Sequence, residues 1–442
     1  MRRLVLYCVK VSLLVALAVY LANEPGTVRI DWHGWRIETN VALLIVLILL
    51  LTLLAYGAAL LWRLVRAGPR GWHRRRQAAK RDAGFAALTQ GLIAVAAGDA
   101  EGARSAARKS FGALGDRPLA LLLTAQAAML DDDEVAARRS FEAMLERPET
   151  AFLGHRGLAA ADLKSGDLIA ALEHVERAIR LKPKSRWALS TAVDLAARIG
   201  QWQALGDYVD AASAAKVLSP EDATRYRLLV ALGAAEGAMA GGDAATAEVA
   251  ADTALKHAPD AIPAVLIKAR ALLASGKPAK ARSFIEKHWN AAAHPDLGAL
   301  YIETLSEDNP LTAASRADAL LKTAPERAES HLVIAELSRR AHLWGEARRH
   351  LLAAESDPAT RHRVYSALAE LEMAEHNDLA KADAWRVKAM AEQPQPAWHC
   401  VSCGSGASSW STRCTACGTP GGLTAQSRGL IAGGPLLPAT AL

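Results

Sequence analysis

Gly166-Asp-Leu-Ile-Ala-Ala171-Leu-Glu-His-Val175-Glu-Arg-Ala178-Ile-Arg-Leu-Lys-Pro183 is the stretch on which the fold turns. A small residue follows the glycine at Ala171, an apolar one stands at Val175, a second small one at Ala178, and a proline closes the run at Pro183. Apolar positions at helical spacing between a glycine and a proline predict a helix bounded by a turn and a breaker. The same register returns along the chain. Gly200 lies 34 residues after Gly166, and Gly242 and Gly276 are another pair 34 apart. Ala247, Ala251, Ala254 and Pro259 reproduce the pattern, as do Ala313, Ala317, Leu320 and Pro325, then Ala347, Leu351, Ala354 and Pro358. Ala281 with Ile285, and Ala382 with Ala389 and Pro394, continue it.

This spacing resembles the second helix of a tetratricopeptide repeat. Alanine and glycine at fixed places let antiparallel helices approach closely, with Leu, Val or Phe from one filling the space left by the other. A helix pair of this kind cannot bury its apolar face alone, so hairpins stack into a solenoid with an extended binding surface. An unrelated alanine-rich bundle would not keep the period. The expected fold is therefore all-α: a tetratricopeptide-repeat superhelical solenoid over residues 83–395. The spacing from Gly200 to Gly242 is 42 residues, so an insertion near residues 211–220 could divide the array. Ser219-Pro220-Glu221-Asp222 reads as an N-cap that starts a fresh helix there. The repeats before Gly166, marked by Gly98-Asp99 with Ala103 and by Ala137, Phe141, Met144 and Pro148, are degenerate.

Half of the chain is apolar (51%) while aromatics make up 5%, which suits alanine-packed helices better than a sheet sandwich. The formal net charge of +6 is local in origin. Arg63, Arg66, Arg70, Arg74, Arg75, Arg76, Lys80 and Arg81 form a basic set free of acidic residues, and without it the remainder is acidic. Nucleic acid is thereby excluded as the expected partner.

Residues 1–66 read as a membrane anchor. The segment at about 4–21 is mostly apolar and follows Arg2 and Arg3; it fits a first span or a cleaved signal. Residues 41–61 carry no charge and have the length of a bilayer crossing. Two spans is the economical reading, with a short periplasmic loop at 22–40. Basic residues lie before the first span and after the second, so the positive-inside rule places both chain ends, and the repeats, in the cytoplasm of a bacterial inner membrane. The juxtamembrane segment 67–82 serves as a stop-transfer cluster or as a lipid site. Within the loop, apolar residues alternate on both sides of His33-Gly34, which predicts a two-residue hairpin turn.

Cys400, Cys403, Cys414 and Cys417 make two Cys-x-x-Cys-Gly knuckles in residues 398–418. Paired thiols two residues apart, each followed by a glycine that permits the turn, are the pattern of a tetrahedral tetrathiolate site. Zn²⁺ in a structural role is the expected ion, and iron in a rubredoxin-like site has the same geometry. His399 is not expected to ligate. In this reading Cys400→Ser releases the ion and loosens residues 398–418 while the repeats stay folded. Residues 419–442 are rich in Gly, Pro and Ala and are expected to be a disordered tail.

Catalytic signatures are missing. Gly404-Ser-Gly406-Ala-Ser-Ser409 fails the dinucleotide fingerprint at its last position, and the sequence contains no GxxxxGK[ST], HExxH, GxSxG or CxxCH.

The order of parts resembles the HemY family of proteobacterial inner-membrane repeat proteins. The paired apolar segments, the loop from Arg29 to Thr39, the basic exit from Arg63 to Arg76 and the repeats after it carry the likeness. It implies a non-enzymatic scaffold or regulator for late protohaem biosynthesis, with enzymes of that pathway as partners. The label also covers a flavin-dependent oxidase, whose fingerprint this chain lacks. A second resemblance is to the lipopolysaccharide-assembly adaptor LapB, which pairs an anchor and repeats with a four-cysteine end and would recruit a protease to a client. LapB proteins have one span, which ranks them second. Direct haem or porphyrin carriage by groove histidines such as His174, His257 or His331 is a third expectation.

Overall fold

The computed structural model describes residues 2–23, 26–115 and 117–425. They form two compact units, Met1–Asp131 and Asp132–Leu442.

The first unit opens with helix α1 (Arg2–Asn23) and a hairpin of strands β1 (Thr27–Trp32) and β2 (Trp35–Asn40). Trp32 pairs with Trp35 across the turn. His33 and Gly34 both have positive φ, 56° and 90°, the backbone that a two-residue type I′ turn requires. Helix α2 (Val41–Ala97) follows, capped by the Asn40 side chain accepting from the Ala42 amide. Its first part, Val41–Arg63, is the one helical segment among the described residues found long and apolar enough to cross a bilayer. The same helix runs on through the basic segment and packs against α3 (Ala100–Leu114) and α4 (Pro118–Leu130) around Leu88, Ala103, Ala107, Leu123 and Ala127. Anchor and first repeat are thus one rod.

The second unit begins with α5 (Glu134–Leu145) and continues as helix pairs: α6 (Pro148–Ser165) with α7 (Leu168–Leu181), and α8 (Arg186–Ile199) with α9 (Trp202–Ala214). Then come α10 (Pro220–Ala240) with α11 (Ala244–His257), and α12 (Ile262–Ala274) with α13 (Pro278–Ala292). The last pairs are α14 (Pro295–Glu303) with α15 (Pro310–Thr323), α16 (Ala328–Arg340) with α17 (Trp344–Ala354), and α18 (Arg361–His376) with α19 (Leu379–Ala391). This is the expected tetratricopeptide-type array. Ala171, Val175 and Ala178 are fully buried, as are Ala247, Ala251, Ala254, Ala281, Ile285, Ala317, Leu320, Ala347 and Ala354.

Most hairpin turns place one residue in the left-handed region; the turn between α14 and α15 does not. Gly98, Gly166, Gly200, Gly242 and Gly276 occupy it, and Asp132, His342 and Asn377 take the same conformation at other turns. The following residue caps the second helix at several of these turns. Asp99, Asp133, Asp167, Asp243 and Asp378 each accept a hydrogen bond from a backbone amide of the first helical turn. Close approach does the rest: a Cβ on Gly233 would lie 2.3 Å from the Trp202 ring, and one on Gly157 would lie 2.2 Å from that of Phe141. The insertion near residues 211–220 does not interrupt the core. Leu189, Val193, Leu205, Val209, Leu218, Tyr226 and Leu229 form one cluster across it.

The cysteine module is larger than the 398–418 expected. Strand β3 (Trp398–Cys400) is the centre of a three-stranded antiparallel sheet, between β4 (Gly406–Ala407) and β5 (Leu423–Ala425). Residues 419–425 therefore belong to the module rather than to a tail, because β5 completes the sheet and buries Leu423 and Ala425. Residues 426–442 lie outside the described residues.

Candidate metal centre

The two knuckles are built alike. Gly404 and Gly418 both have φ of 72°, and their amides donate to the carbonyls of Cys400 and Cys414 at 2.8 Å. The Cys400 amide donates to the Ser405 carbonyl and the Cys414 amide to that of Thr419, closing each loop. These turns bring the four sulfurs within 4.8 Å of one another. Cys400 Sγ lies 3.7 Å from Cys417 Sγ, and Cys403 Sγ lies 3.9 Å from Cys414 Sγ. Four sulfurs about 2.3 Å from a central Zn²⁺ would stand about 3.8 Å apart at the corners of a tetrahedron. The donor set therefore fits such an ion. Zinc and iron share this geometry.

Hydroxyls and amides surround the sulfurs. Ser405 Oγ is 3.0 Å from Cys403 Sγ and 3.5 Å from Cys414 Sγ, and Thr419 Oγ1 is 3.1 Å from Cys417 Sγ. The Ser405 hydroxyl brings the Cys414 thiol down to about 6 and lowers Cys403 as well, whereas burial pushes Cys400 up to about 11. Cys400 and Cys414 are buried; Cys403 and Cys417 face solvent. The converging set consists of the four cysteines. The site brings together four sulfurs from two loops of a small sheet.

The module is carried on the repeats through contacts that the sequence did not reveal. Trp398 is fully buried in the core cluster that also holds Val265, Trp289, Tyr301 and Val333. Its Nε1 donates to Asp296 Oδ2 at 2.8 Å. His294 caps α14, accepting from the Asp296 amide on Nδ1, and its Nε2 donates to the Ala397 carbonyl at 3.1 Å. These two bonds require the neutral tautomer, and burial lowers the pKa of His294 in the same sense. Farther along, the Thr412 amide donates to Glu236 Oε2 at 3.1 Å, as does its hydroxyl. Arg413 Nη1 donates to the carbonyls of Arg198 and Ile199, both at 3.0 Å, where α8 ends with unpaired acceptors. Trp410 lines an apolar slot with Leu228, Leu229, Leu232, Ala261 and Pro263. The hydrogen-bonding partners and the slot under Trp410 lie on α8, α10, α12 or α14 or at their ends, the first helices of successive hairpins, while the cluster around Trp398 also draws on α13 and α16.

The three histidines named as haem candidates lie on three different helices, α7, α11 and α16. His174 Nδ1 meets His155 Nδ1 at 3.0 Å, and His331 Nδ1 meets His350 Nδ1 at 2.8 Å, each pair joining the two helices of one hairpin. His257 sits at the C-terminal end of α11. Two of the three thus already spend a ring nitrogen on a neighbouring histidine.

The fold and the cysteine cluster define a helical-repeat protein with one apolar helical segment long enough to cross a bilayer, among the described residues, and a four-cysteine knuckle. Residues 26–132 match the family model described as HemY protein N-terminus, so the chain carries that region as its loop, apolar helix and first repeats. Across nearly its whole length the chain is 27% identical to the probable magnetosome protein Mms48 of Magnetospirillum gryphiswaldense, over 436 residues covering 94% of this chain and 91% of that one. Among solved structures it is similar to Naa15/Naa10 bound to HypK-THB, at 15% identity and a TM-score of 0.43 over 76% of this chain and 54% of that one. It is also similar to the TPR2AB domain of yeast Sti1 in complex with pHSP90, at 14% identity and a TM-score of 0.31 over 70% of this chain and 98% of that one.

Proposed function

We propose that the protein is a non-enzymatic scaffold held at the inner membrane, which gathers enzymes of a late step of protohaem biosynthesis along its repeats. The observation that carries this is the HemY N-terminal match over residues 26–132, which includes the loop, the apolar segment and the start of the array. Helix α2 adds mechanical support, since a single rod from Val41 to Ala97 transmits the anchor directly into the first repeat. In this reading α1 and the start of α2 both cross the bilayer and the basic set after Trp62 stays in the cytoplasm with the repeats. Tethering raises the local concentration of partners on the membrane surface without new chemistry. The four thiolates hold a structural Zn²⁺ or iron; when bound, the ion supplies a cross-link between two loops.

Affinity purification of the full chain from detergent-solubilised membranes tests the partner class. Recovery of a late haem-biosynthesis enzyme such as ferrochelatase supports the proposal. Recovery of lipopolysaccharide enzymes with a protease would replace it with a LapB-like adaptor role. Turnover of a porphyrin substrate by the purified chain would refute a scaffold outright.

A further inference from the structure

The knuckle lies across the first helices of the hairpins, the row that faces partners in an array of this kind. It contacts that row much as a bound peptide would. The segment Trp410-Ser411-Thr412-Arg413 offers an indole to the slot between Leu228, Leu232 and Pro263, an amide and a hydroxyl to Glu236, and a guanidinium to the end of α8. Trp398 adds an indole N–H to Asp296. The polar partners of Trp398, Thr412 and Arg413 on the repeat side are acceptors, two carboxylates and two helix-end carbonyls, while His294 donates to the Ala397 carbonyl and Arg225 lines the slot. The surface under these three residues is therefore apolar in its middle with hydrogen-bond acceptors at its edges.

Trp410, Thr412 and Arg413 precede Cys414 directly, and Trp398 stands two residues before Cys400. The bonded ion would fix both segments at once, because Cys400 and Cys403 come from one loop and Cys414 and Cys417 from the other. Without it, the two loops are joined to each other only through the short sheet and their contacts with the repeats.

We propose that the knuckle is a metal-locked plug: with the ion bound, it seats Trp410–Arg413 on the first helices of the array as a built-in ligand. Loss of the ion uncovers a surface that takes a peptide bearing an aromatic, a hydroxyl and an arginine. This rests on the four cysteines holding a metal, which elemental analysis establishes separately from the seating.

Carboxyl footprinting by carbodiimide coupling and mass spectrometry, on the full chain in detergent, reads the seating directly. Glu236 and Asp296 are the reporters, and Glu372, buried and paired with Arg348 at 2.9 Å between α17 and α18, is the control for folding of the array. Chelation that removes the ion should raise labelling of Glu236 and Asp296 roughly tenfold and leave Glu372 unchanged. Arg413→Ala combined with Thr412→Val, which leaves all four thiols in place, should expose Glu236 with the metal retained. A synthetic peptide of residues 407–413, added in excess to the metal-free chain, should restore protection of Glu236. Protection unchanged after confirmed metal removal would overturn the plug, as would a parallel rise at Glu372, which would make the knuckle a strut of the fold. Failure of the peptide to protect Glu236 would overturn the surface as a peptide site.

Discussion

Replacing Trp398 with alanine separates a module that merely follows the repeats from one that is part of their core. The ring is fully buried, packs against His294 at 4.3 Å between centroids, and donates to Asp296. Truncating a buried aromatic of this size costs about 3–5 kcal/mol. Trp398→Phe keeps most of the apolar volume and loses the bond to a charged acceptor, worth about 1.5–3 kcal/mol. The Asp296 side chain is 24% exposed and can recover water, so the lower end of that range, about 1.5 kcal/mol, is expected. At about 2 °C per kcal/mol for a unit of this size, Tm should drop about 6–10 °C for alanine and about 3 °C for phenylalanine. Circular dichroism at the helical band is the assay, because the described part of the module is strand and turn while the signal comes from the repeats. A helical transition that stays in place in Trp398→Ala would refute the fusion of the module with the array.

Other expectations follow from the same geometry. Burial holds His155 down to about 4 and also lowers His174, His331 and His350. A histidine kept neutral when folded takes up its proton only on unfolding below about pH 6.5, so stability is full above that pH and declines as pH falls toward 4. A denaturant midpoint that is flat from pH 7 to 5 would contradict this. Gly233→Ala should cost about 1–3 kcal/mol because its Cβ meets the Trp202 ring, and the pairing of Gly233→Ala with a smaller residue at 202 should recover part of it. Asn377→Gly relieves a φ of 51° at a hairpin turn and should raise stability by about 0.5–1 kcal/mol, seen as a higher Tm.

The array was legible in the sequence because its determinants are local. The period of small residues at Ala171 and Ala178, or at Ala247 and Ala254, is set by packing within and between neighbouring hairpins, so short spacing reports it. The turns were half legible: glycines marked five of them, while Asp132, His342 and Asn377 do the same task without glycine and so escaped the pattern. The convergence of the four cysteines was legible for the same reason, since each knuckle is a five-residue turn. The seat of the module was not. Arg413 to Arg198, Thr412 to Glu236 and Trp398 to Asp296 join residues more than 100 positions apart, and no local spacing encodes them. The histidine pairs likewise join helices within a hairpin, 19 residues apart, and look in the sequence like scattered surface positions.

X-ray absorption on the freshly purified, reduced full chain tests most directly whether the knuckle is what its geometry describes. One ion per chain in a single shell of four sulfurs at about 2.3 Å is the predicted result. Metal-free protein with its four thiols free, or joined as two disulfides, would contradict it.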